Sequence, residues 1–420
     1  MTSHSLMPDE ATTMPGRLHE ARGDDARIDA YLPAATVQNH AANLLALANG
    51  DLLCAWFGGT QEGVPDISIY LSRLARGSST WSEPVRLSDD PARSEQNPVL
   101  FAAPDGKLWL IYTAQLSGHQ NTSIVRRRVS DDNGHTWGPI DTLFDLPGTF
   151  VRQPIVVARD GTWLCPVFLC RVAPGERWSG NDDVSAVMCS TDNGATWTAH
   201  DVPGSVGCVH MNIQPLGDGS LVALFRSRWA DHIHISHSAD GITWSEPEPL
   251  ALPNNNSSIQ FVTLDNGHLA LVFKNSSAAQ STGCRASLYD DIEDSEDSGT
   301  LATQAASARG TAFWGAPRAP MTLAVSLDGG HTWPVMRNLE TGDGYCMTNN
   351  STDKLNREFS YPSIVQSADG RLHIAYTYFR QRIKYVSAAK TGHRPGSVRR
   401  HERAAGTRRR IAATAQSGNG

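Results

Sequence analysis

The chain has 420 residues and a formal net charge of -7 at pH 7. Residues 387–420 contain eight Lys and Arg residues and one acid, so residues 1–386 carry about -14 (-7 minus +7). An acidic body disfavours nucleic acid as the main partner, and the lack of an 18-residue apolar run predicts no membrane-spanning helix.

The cysteines indicate the compartment. Seven cysteines, an odd number without a CxxC pair, are typical of free thiols in a reducing environment. Residues 1–24 lack a continuous apolar stretch, so no signal peptide is predicted and the expected location is cytoplasmic. HExxH, CxxC and P-loop patterns are missing, so we predict neither a metal nor another cofactor.

Taken in chain order, residues 1–27 precede the first repeat and are predicted to be disordered. Residues 28–37 are expected to supply a strand that closes a ring of repeats. Each repeat has an Asn-Gly or Asp-Gly turn between two apolar runs, which predicts a β-hairpin with a type I′ turn. There are six such turns: Asn49-Gly50, Asp105-Gly106, Asp160-Gly161, Asp218-Gly219, Asn266-Gly267 and Asp369-Gly370.

The spacing of these turns predicts the architecture. Units of about 50 residues are typical of four-stranded blades, so six turns predict an all-β, six-bladed β-propeller over residues 28–386. Its blades should begin near residues 40, 96, 152, 210, 257 and 359. The long interval before the last turn indicates an insertion in blade 5, at about residues 276–320.

Two charged segments interrupt or follow the ring. The insertion contains an acidic stretch after Tyr289, which we interpret as a surface loop because the ligand spacing of a known calcium loop is absent. Residues 387–420 are basic and rich in Gly, Ser and Ala, which predicts a disordered tail.

A second repeated turn supports the first. Its full copies are Ser130–Trp137, Ser190–Trp197 and Ser326–Trp333; Ser238–Trp244 is one residue shorter and Gly77–Trp81 is degraded. The Asp of each copy can accept backbone N–H groups, the Gly allows a positive φ, and the Trp can pack between sheets. We therefore assign these residues to stability.

This signature is the Asp-box, and residues 30–386 resemble the sialidase superfamily, in particular its "predicted neuraminidase" branch with BNR repeats. The resemblance also rests on segments outside the boxes: Trp56–Gly63, Val209–Ile213, Phe225–Arg228, Pro253–Ser258 and Phe359–Ile364. It implies a six-bladed propeller with Asp-box turns and an exo-glycosidase that acts on an oligosaccharide or glycoconjugate.

The resemblance also implies catalytic residues. Sialidases use a tyrosine nucleophile with a carboxylate neighbour, which corresponds here to Tyr361 at the start of blade 6, with Glu358 nearby in sequence. The family's acid/base lies after the second strand of blade 1, where Asp66 stands, with Glu62 as the alternative. The alternative interpretation of Asp66, which we favour less, is a strand-entry cap.

The arginines depart from the family pattern. The family's first arginine, at the start of blade 1, is replaced by His40. Candidate substrate-binding residues at strand ends are Arg152, Arg226, Arg228, Arg380 and Arg382, and the insertion offers Arg318. Arginine suits this role because its guanidinium binds carboxylates through two parallel hydrogen bonds.

Two histidines are compatible with reactions other than sialoside hydrolysis. His40 and His210 begin blades 1 and 4 at apparently equivalent positions, and histidine suits proton transfer near neutrality. Related propellers that act on uronate glycans, as lyases or rhamnosidases, use histidine with tyrosine and arginine. The alternatives are therefore such an enzyme, or a propeller that binds glycan without catalysis.

Overall fold

The computed structural model describes residues 7–172, 176–289, 292 and 310–388. It contains six antiparallel sheets arranged as the blades of a β-propeller, which confirms the predicted fold. The basic tail from residue 389 and most of the acidic stretch lie outside the described residues. Within the described ranges, no helix is long and apolar enough to cross a membrane.

The strands follow one another along the chain blade by blade, as expected for a propeller. The segment before the first blade contains α1 (Asp9–Thr13), β1 (His19–Ala21) and β2 (Asp24–Tyr31). Blade 1 contains β3 (Gln38–Ala46), β4 (Leu52–Gly59), β5 (Ser68–Leu74) and β6 (Val85–Arg86). Blade 2 contains β7 (Arg93–Ala102), β8 (Leu108–Leu116), β9 (His119–Ser130) and β10 (Asp141–Phe144). Blade 3 contains β11 (Thr149–Val151), β12 (Val156–Val157), β13 (Trp163–Leu169), β14 (Val184–Ser190) and β15 (Thr198–Asp201).

The second half of the ring continues in the same way. Blade 4 contains β16 (Cys208–Pro215), β17 (Leu221–Ser227), β18 (His232–Ser238) and β19 (Glu248–Pro253). Blade 5 contains β20 (Gln260–Thr263), β21 (Leu269–Lys274), β22 (Met321–Ser326) and β23 (Val335–Glu340). Blade 6 contains β24 (Phe359–Gln366), β25 (Leu372–Tyr378) and β26 (Arg382–Ala388). A 3-10 turn at Ala278–Gln280 begins the blade 5 insertion.

The N-terminal segment closes the ring. Strand β2 pairs antiparallel with β26 from Arg27 opposite Ala388 to Tyr31 opposite Lys384. The structure differs here from the disorder predicted for residues 1–27, because residues 7–27 include α1, β1 and the start of β2. Ala11 and Tyr31 pack in one apolar cluster with blades 5 and 6, and this tertiary contact orders a segment without a repeat pattern.

Buried ion pairs reinforce this closure. Lys384 Nζ lies 3.1 Å from Asp29 Oδ2 and 2.5 Å from Glu340 Oε1. Arg27 Nε donates to Asp29 Oδ1 at 2.6 Å, and its NH1 donates to the Leu339 carbonyl at 2.8 Å. Charges from the N-terminal strand and from blades 5 and 6 therefore compensate one another at the seam of the ring.

The Asp-boxes form turns between the third and fourth strands of their blades. In blade 2, Asp132 Oδ1 accepts from the Thr136 amide at 2.8 Å and Oδ2 accepts from the Thr136 hydroxyl at 2.6 Å. Gly134 has a φ of 81°, which a residue with a Cβ adopts only with strain. These hydrogen bonds lower the pKa of Asp132 well below its usual range. The contacts are structural, as predicted.

Tryptophans pack between adjacent blades, and Trp163 gives the clearest stability prediction. Trp163 is 1% exposed, and its ring centroid lies 4.9 Å from that of Phe101 and 5.3 Å from that of Trp109. We expect Trp163→Ala to lower the free energy of unfolding by about 3–5 kcal/mol because it leaves a cavity between blades 2 and 3, and Trp163→Phe to lower it less. Chemical denaturation measures both. A loss below about 1 kcal/mol for the alanine variant would show that this interface adds little.

A repeated irregularity near the axis positions the candidate site. The innermost strands of blades 1, 2, 4 and 6 each contain a β-bulge, where the pairing register shifts. One residue with positive φ lies within each bulge: Ala41 (61°), Asn97 (52°), His210 (54°) and Tyr361 (50°). Because bulges redirect side chains locally, these strands do not follow simple alternation at the bulge.

Candidate active site

Tyr361 lies at the centre of a buried cluster of basic and aromatic side chains. Its hydroxyl accepts a hydrogen bond from Arg226 NH1 at 2.9 Å, and the side chain is almost inaccessible, with 7% exposure of the residue. The ring centroid lies 4.4 Å from that of His40 and 5.8 Å from that of His210. The bulges of blades 1, 4 and 6 thus bring three candidate residues together.

Arg226 links the phenol to blade 4. It lies one residue before the end of β17, and its Nε donates to Asn256 Oδ1 at 2.8 Å. Its NH1 also lies 3.4 Å from His210 Nε2. Burial lowers the pKa of Arg226 to about 10, since none of these partners is a carboxylate. The guanidinium is therefore a buried cation whose hydrogen-bond partners are neutral, and the nearby Arg228 and Arg318 add further positive charge.

Arg152 approaches Tyr361 from blade 3. Its NH2 donates to the carbonyls of Ala42 at 3.0 Å and Tyr361 at 3.2 Å, and its Nε donates to Ser258 Oγ at 3.2 Å. The guanidinium carbon lies 5.3 Å from the centroid of the Tyr361 ring. Burial lowers the pKa of Arg152 to about 10. Among the described residues, its hydrogen bonds reach only carbonyls and a hydroxyl.

Glu358 is the carboxylate of this cluster. Its Oε2 accepts from Arg318 NH1 at 2.9 Å, and its Oε1 lies 2.8 Å from Arg380 Nε. Burial raises the pKa of Glu358, but Arg318 and Arg380 lower it more, so the net pKa is below its usual value. Strand alternation places a residue three positions from Tyr361 on the opposite face. Glu358 instead precedes β24, and Arg318 connects the two, its guanidinium carbon 5.9 Å from the Tyr361 ring.

The two acid/base candidates differ in their surroundings. Glu62 is buried, and its Oε2 accepts from Arg380 NH1 at 2.6 Å, which joins it to the cluster around Glu358. Asp66 is exposed, and its Oδ2 accepts from the Thr60 amide at 3.1 Å and the Thr60 hydroxyl at 2.6 Å. Those hydrogen bonds cap the loop after β4. Which carboxyl transfers a proton stays a prediction.

Arg228 and Arg382 have other partners. Arg228 lies just after β17, and its Nε and NH2 donate to Asp183 Oδ2 at 2.9 and 2.6 Å. Its guanidinium carbon also lies 5.4 Å from the Trp178 ring and 5.2 Å from the Trp314 ring. Arg382 begins β26, and its NH1 donates to the Gln381 carbonyl at 3.0 Å. Among the described contacts, neither reaches Tyr361.

Both histidines are buried and neutral. Burial, and next the neighbouring arginines, lower the pKa values of His40 and His210 well below their usual range. No described residue is a hydrogen-bond partner of either His40 nitrogen, although Nδ1 lies 3.7 Å from Glu358 Oε1. His210 has the positive φ of its bulge, whereas His40 precedes the equivalent residue, Ala41. The two positions, which look equivalent in the sequence, therefore differ by one residue.

These buried rings predict an acid-sensitive fold. The unfolded chain protonates both histidines below about pH 6.5, whereas the folded chain does not, so stability falls as pH decreases below that value. Each ring contributes a slope of up to about 1.4 kcal/mol per pH unit. We expect His40→Gln to reduce the slope of the unfolding free energy between pH 6.5 and 5 by about one such increment. An unchanged slope, measured by urea denaturation across that range, would contradict neutral burial of His40.

Lys274 is a site residue that sequence reasoning missed. Lys274 follows Phe273 at the end of β21 in blade 5, just as Arg226 follows Phe225 near the end of β17 in blade 4, so alignment of the blades offers a signal for it. Its Nζ donates to the carbonyl of Ser258, whose hydroxyl accepts from Arg152. The cluster thus has five basic side chains but two carboxylates: Arg152, Arg226, Lys274, Arg318 and Arg380, with Glu62 and Glu358.

The described part of the chain offers no obvious metal site. Within it, no group of three or more His, Cys, Asp and Glu side chains has a metal-binding arrangement. The seven cysteines are unpaired; six are buried, and Cys284 is exposed.

Comparison with known proteins assigns the family. The BNR repeat-like domain matches residues 50–374. The chain belongs to this family, in the sialidase superfamily. It is 26% identical to a sialidase of Clostridium perfringens over 265 residues, which is 54% of this chain and 67% of that enzyme. It is also 26% identical to a sialidase of Paraclostridium sordellii over 239 residues, covering 50% of this chain and 57% of the relative.

Solved structures support the fold of this BNR repeat-like protein. A Hadza microbial sialidase superposes with a TM-score of 0.60 at 16% identity, over 84% of this chain and 66% of that chain. The intramolecular trans-sialidase from Ruminococcus gnavus gives a TM-score of 0.59 at 13% identity, over 86% and 96%. These TM-scores establish a shared propeller fold. At such low identity the reaction must be argued from the site residues.

Proposed function

We propose that this protein is a sialidase-like exo-glycosidase that hydrolyses a terminal acidic sugar from a glycan. One observation carries the proposal: the Tyr361 hydroxyl lies 2.9 Å from Arg226 within a cluster where Arg226 and Arg152 have no carboxylate partner among the described residues. The relatives that are named sialidases support the same class of enzyme.

The charge of the cluster supports an acidic sugar. Removing a cation from water without an anionic partner costs several kcal/mol, so a protein retains such groups where a ligand supplies the partner. A sugar carboxylate can accept parallel hydrogen bonds from a guanidinium. Arg152 and Arg226 are the candidate carboxylate-binding residues, because Arg318 and Arg380 are already paired with Glu358.

The arrangement assigns a role to each group in the proposed hydrolysis. The phenol of Tyr361 attacks the anomeric carbon, and Arg226 stabilises the developing phenolate through its hydrogen bond. In the proposed reaction the neutral ring of His40 or His210 accepts the phenol proton; their centroids lie 4.4 and 5.8 Å from that of the Tyr361 ring. Glu62 or Asp66 protonates the leaving oxygen and then activates the water that releases the sugar from tyrosine.

Two matched substitutions distinguish the acid candidates. We expect Glu62→Gln to lower kcat/KM by about 10²–10⁴-fold for a glycoside with an alkyl leaving group, because such a leaving group needs protonation. A nitrophenyl glycoside, whose leaving group needs little protonation, should be affected much less. Asp66→Asn is the matched comparison. The reverse pattern, with the leaving-group dependence in Asp66→Asn alone, would assign the acid to Asp66.

A panel of aryl glycosides tests the function itself. The panel contains a sialoside, a glucuronide, a galacturonide and neutral galactosides, assayed from pH 4 to 8. The proposal expects release of the aryl group from at least one acidic glycoside and none from the neutral ones. Turnover of neutral glycosides alone, or of no glycoside at any pH, contradicts it.

A uronate lyase is the second candidate, and one observation favours it. Two neutral imidazoles, those of His40 and His210, flank Tyr361, and a phenol, an imidazole and an arginine are sufficient for proton abstraction beside a carboxylate. A lyase generates a conjugated unsaturated uronate that absorbs ultraviolet light, whereas a hydrolase does not. A rise in absorbance on a panel of uronate glycans, without release of aryl groups from glycosides, would favour the lyase.

A further inference from the structure

Lys274 is the buried basic group that the proposed hydrolysis does not use. The residue is 1% exposed, and its Nζ donates to the Ser258 carbonyl. Lys384 is a useful contrast, because it is 5% exposed but contacts the carboxylates of Asp29 and Glu340. Lys274 forms no ion pair with any described carboxylate, so its partners do not hold it in the charged form.

The environment of Lys274 favours the free amine. Burial lowers its pKa well below the usual value, and Arg318, Arg226 and Arg152 lower it further. A neutral amine is the nucleophilic form of lysine, and nearby cations activate lysines in this way in enzymes that form Schiff bases. The position is thus chemically different from that of a surface lysine.

We propose that Lys274 forms an imine with a 2-keto acid held by the basic cluster. This inference rests on the proposed function, because hydrolysis of a glycoside of a 2-keto sugar acid releases the cyclic hemiketal, and this opens to the keto acid when its ring C–O bond breaks and the hydroxyl proton moves to the ring oxygen. In such a molecule the carbonyl carbon is bonded directly to the carboxylate carbon. Arg152 Nε donates to the Ser258 hydroxyl and Lys274 Nζ donates to the Ser258 carbonyl, so in the proposal Arg152 holds the carboxylate and the adjoining carbonyl faces Lys274.

Imine formation requires only the lysine amine and the keto acid. The amine nitrogen attacks the carbonyl carbon, the carbonyl electron pair moves to oxygen, and a proton passes from nitrogen to that oxygen. The resulting carbinolamine loses water, with its second proton leaving from nitrogen, and the C=N bond forms. One water molecule is released for each imine, and hydrolysis reverses the step.

Reductive trapping tests the inference on the intact chain. The protein is incubated with pyruvate, as the 2-keto acid probe, and sodium cyanoborohydride, and the modified lysine is located by peptide mass spectrometry. The chain has five lysines, so assignment is direct: Lys107, Lys274, Lys354, Lys384 and Lys390. We expect saturable modification of Lys274, at least about tenfold faster than that of any other lysine, with Lys384 unmodified.

Two controls make the outcome decisive. Lys274→Arg retains a cation and should abolish the saturable adduct, and lactate, the corresponding alcohol, should compete with pyruvate without forming one. Equal modification of all accessible lysines, or no adduct on Lys274 in the wild-type protein, overturns the inference. Trapping without glycoside turnover would leave the imine established and the hydrolase wrong, whereas turnover without trapping would remove the imine alone.

Discussion

Tyr361→Phe should lower kcat/KM by about a thousandfold or more on any glycan that the protein turns over. The substitution removes one hydroxyl oxygen, which both proposed reactions use, as nucleophile in the hydrolase or as proton-transferring group in the lyase. Removing it also leaves Arg226 without one of its three partners. Initial rates on the best substrate of the panel measure the loss.

A second buried phenol supplies the matched control. Tyr112 lies in blade 2 and is fully buried, and among the described hydrogen bonds its hydroxyl contacts neither Tyr361 nor Arg226. Tyr112→Phe should therefore retain activity within about twofold of wild type. If Tyr361→Phe binds and converts glycan as well as Tyr112→Phe does, Tyr361 is not catalytic and the cluster is a binding site only.

Arg226→Lys should cost about 10²–10³-fold in kcat/KM, although the charge is retained. Lysine lacks the planar guanidinium, so it cannot contact Asn256, Tyr361 and a substrate carboxylate simultaneously. The hydrogen bond to the developing phenolate is stronger in the transition state than in the ground state, so most of the loss should appear in kcat. Steady-state kinetics on an acidic aryl glycoside separate the two parameters.

A half-buried arginine of blade 2 serves as the control for this substitution. Arg127 pairs with Asp141 at 2.6 Å on the outside of blade 2, so Arg127→Lys should change neither kcat nor KM measurably. A loss in Arg226→Lys that is confined to KM would assign this residue to substrate binding alone. An Arg226→Lys enzyme as active as wild type would remove Arg226 from the mechanism.

The blade positions were predictable because local turn chemistry repeats. Each of the six turn glycines has a positive φ, between 80° and 93°, as the Asn-Gly and Asp-Gly pairs predict. The Asn or Asp before each of them does not, so the turns are not the predicted type I′ turns, which require positive φ at both central residues. The predicted blade starts near residues 40, 96 and 210 lie two or three residues from the observed starts at Gln38, Arg93 and Cys208. The order in the N-terminal segment was not predictable, because it depends on packing of Ala11 and Tyr31 against later blades.

Sequence reasoning named several residues of the cluster around Tyr361, but it missed Lys274 and did not predict which side chains pair. Tyr361, Arg152 and Arg226 converge because strand ends of different blades meet near the axis. Arg226 and Arg228 are two residues apart and would share a face in a regular strand, but β17 ends at Ser227 and Arg228 pairs with Asp183. Bulges in the innermost strands set the directions of the His210 and Tyr361 side chains. The sequence has no local signature for such a bulge, as its occurrence at Ala41 shows.

Binding of an acidic glycan to the inactive Tyr361→Phe protein tests the central claim most directly. Calorimetric titration compares sialyllactose, and in parallel a glucuronide, with the same sugars after reduction of the carboxylate to an alcohol. If the basic cluster receives a sugar carboxylate, at least one acid should bind about a hundredfold more tightly than its alcohol, a difference of roughly 2.7 kcal/mol. Equal affinities for every acid and its alcohol would contradict the account.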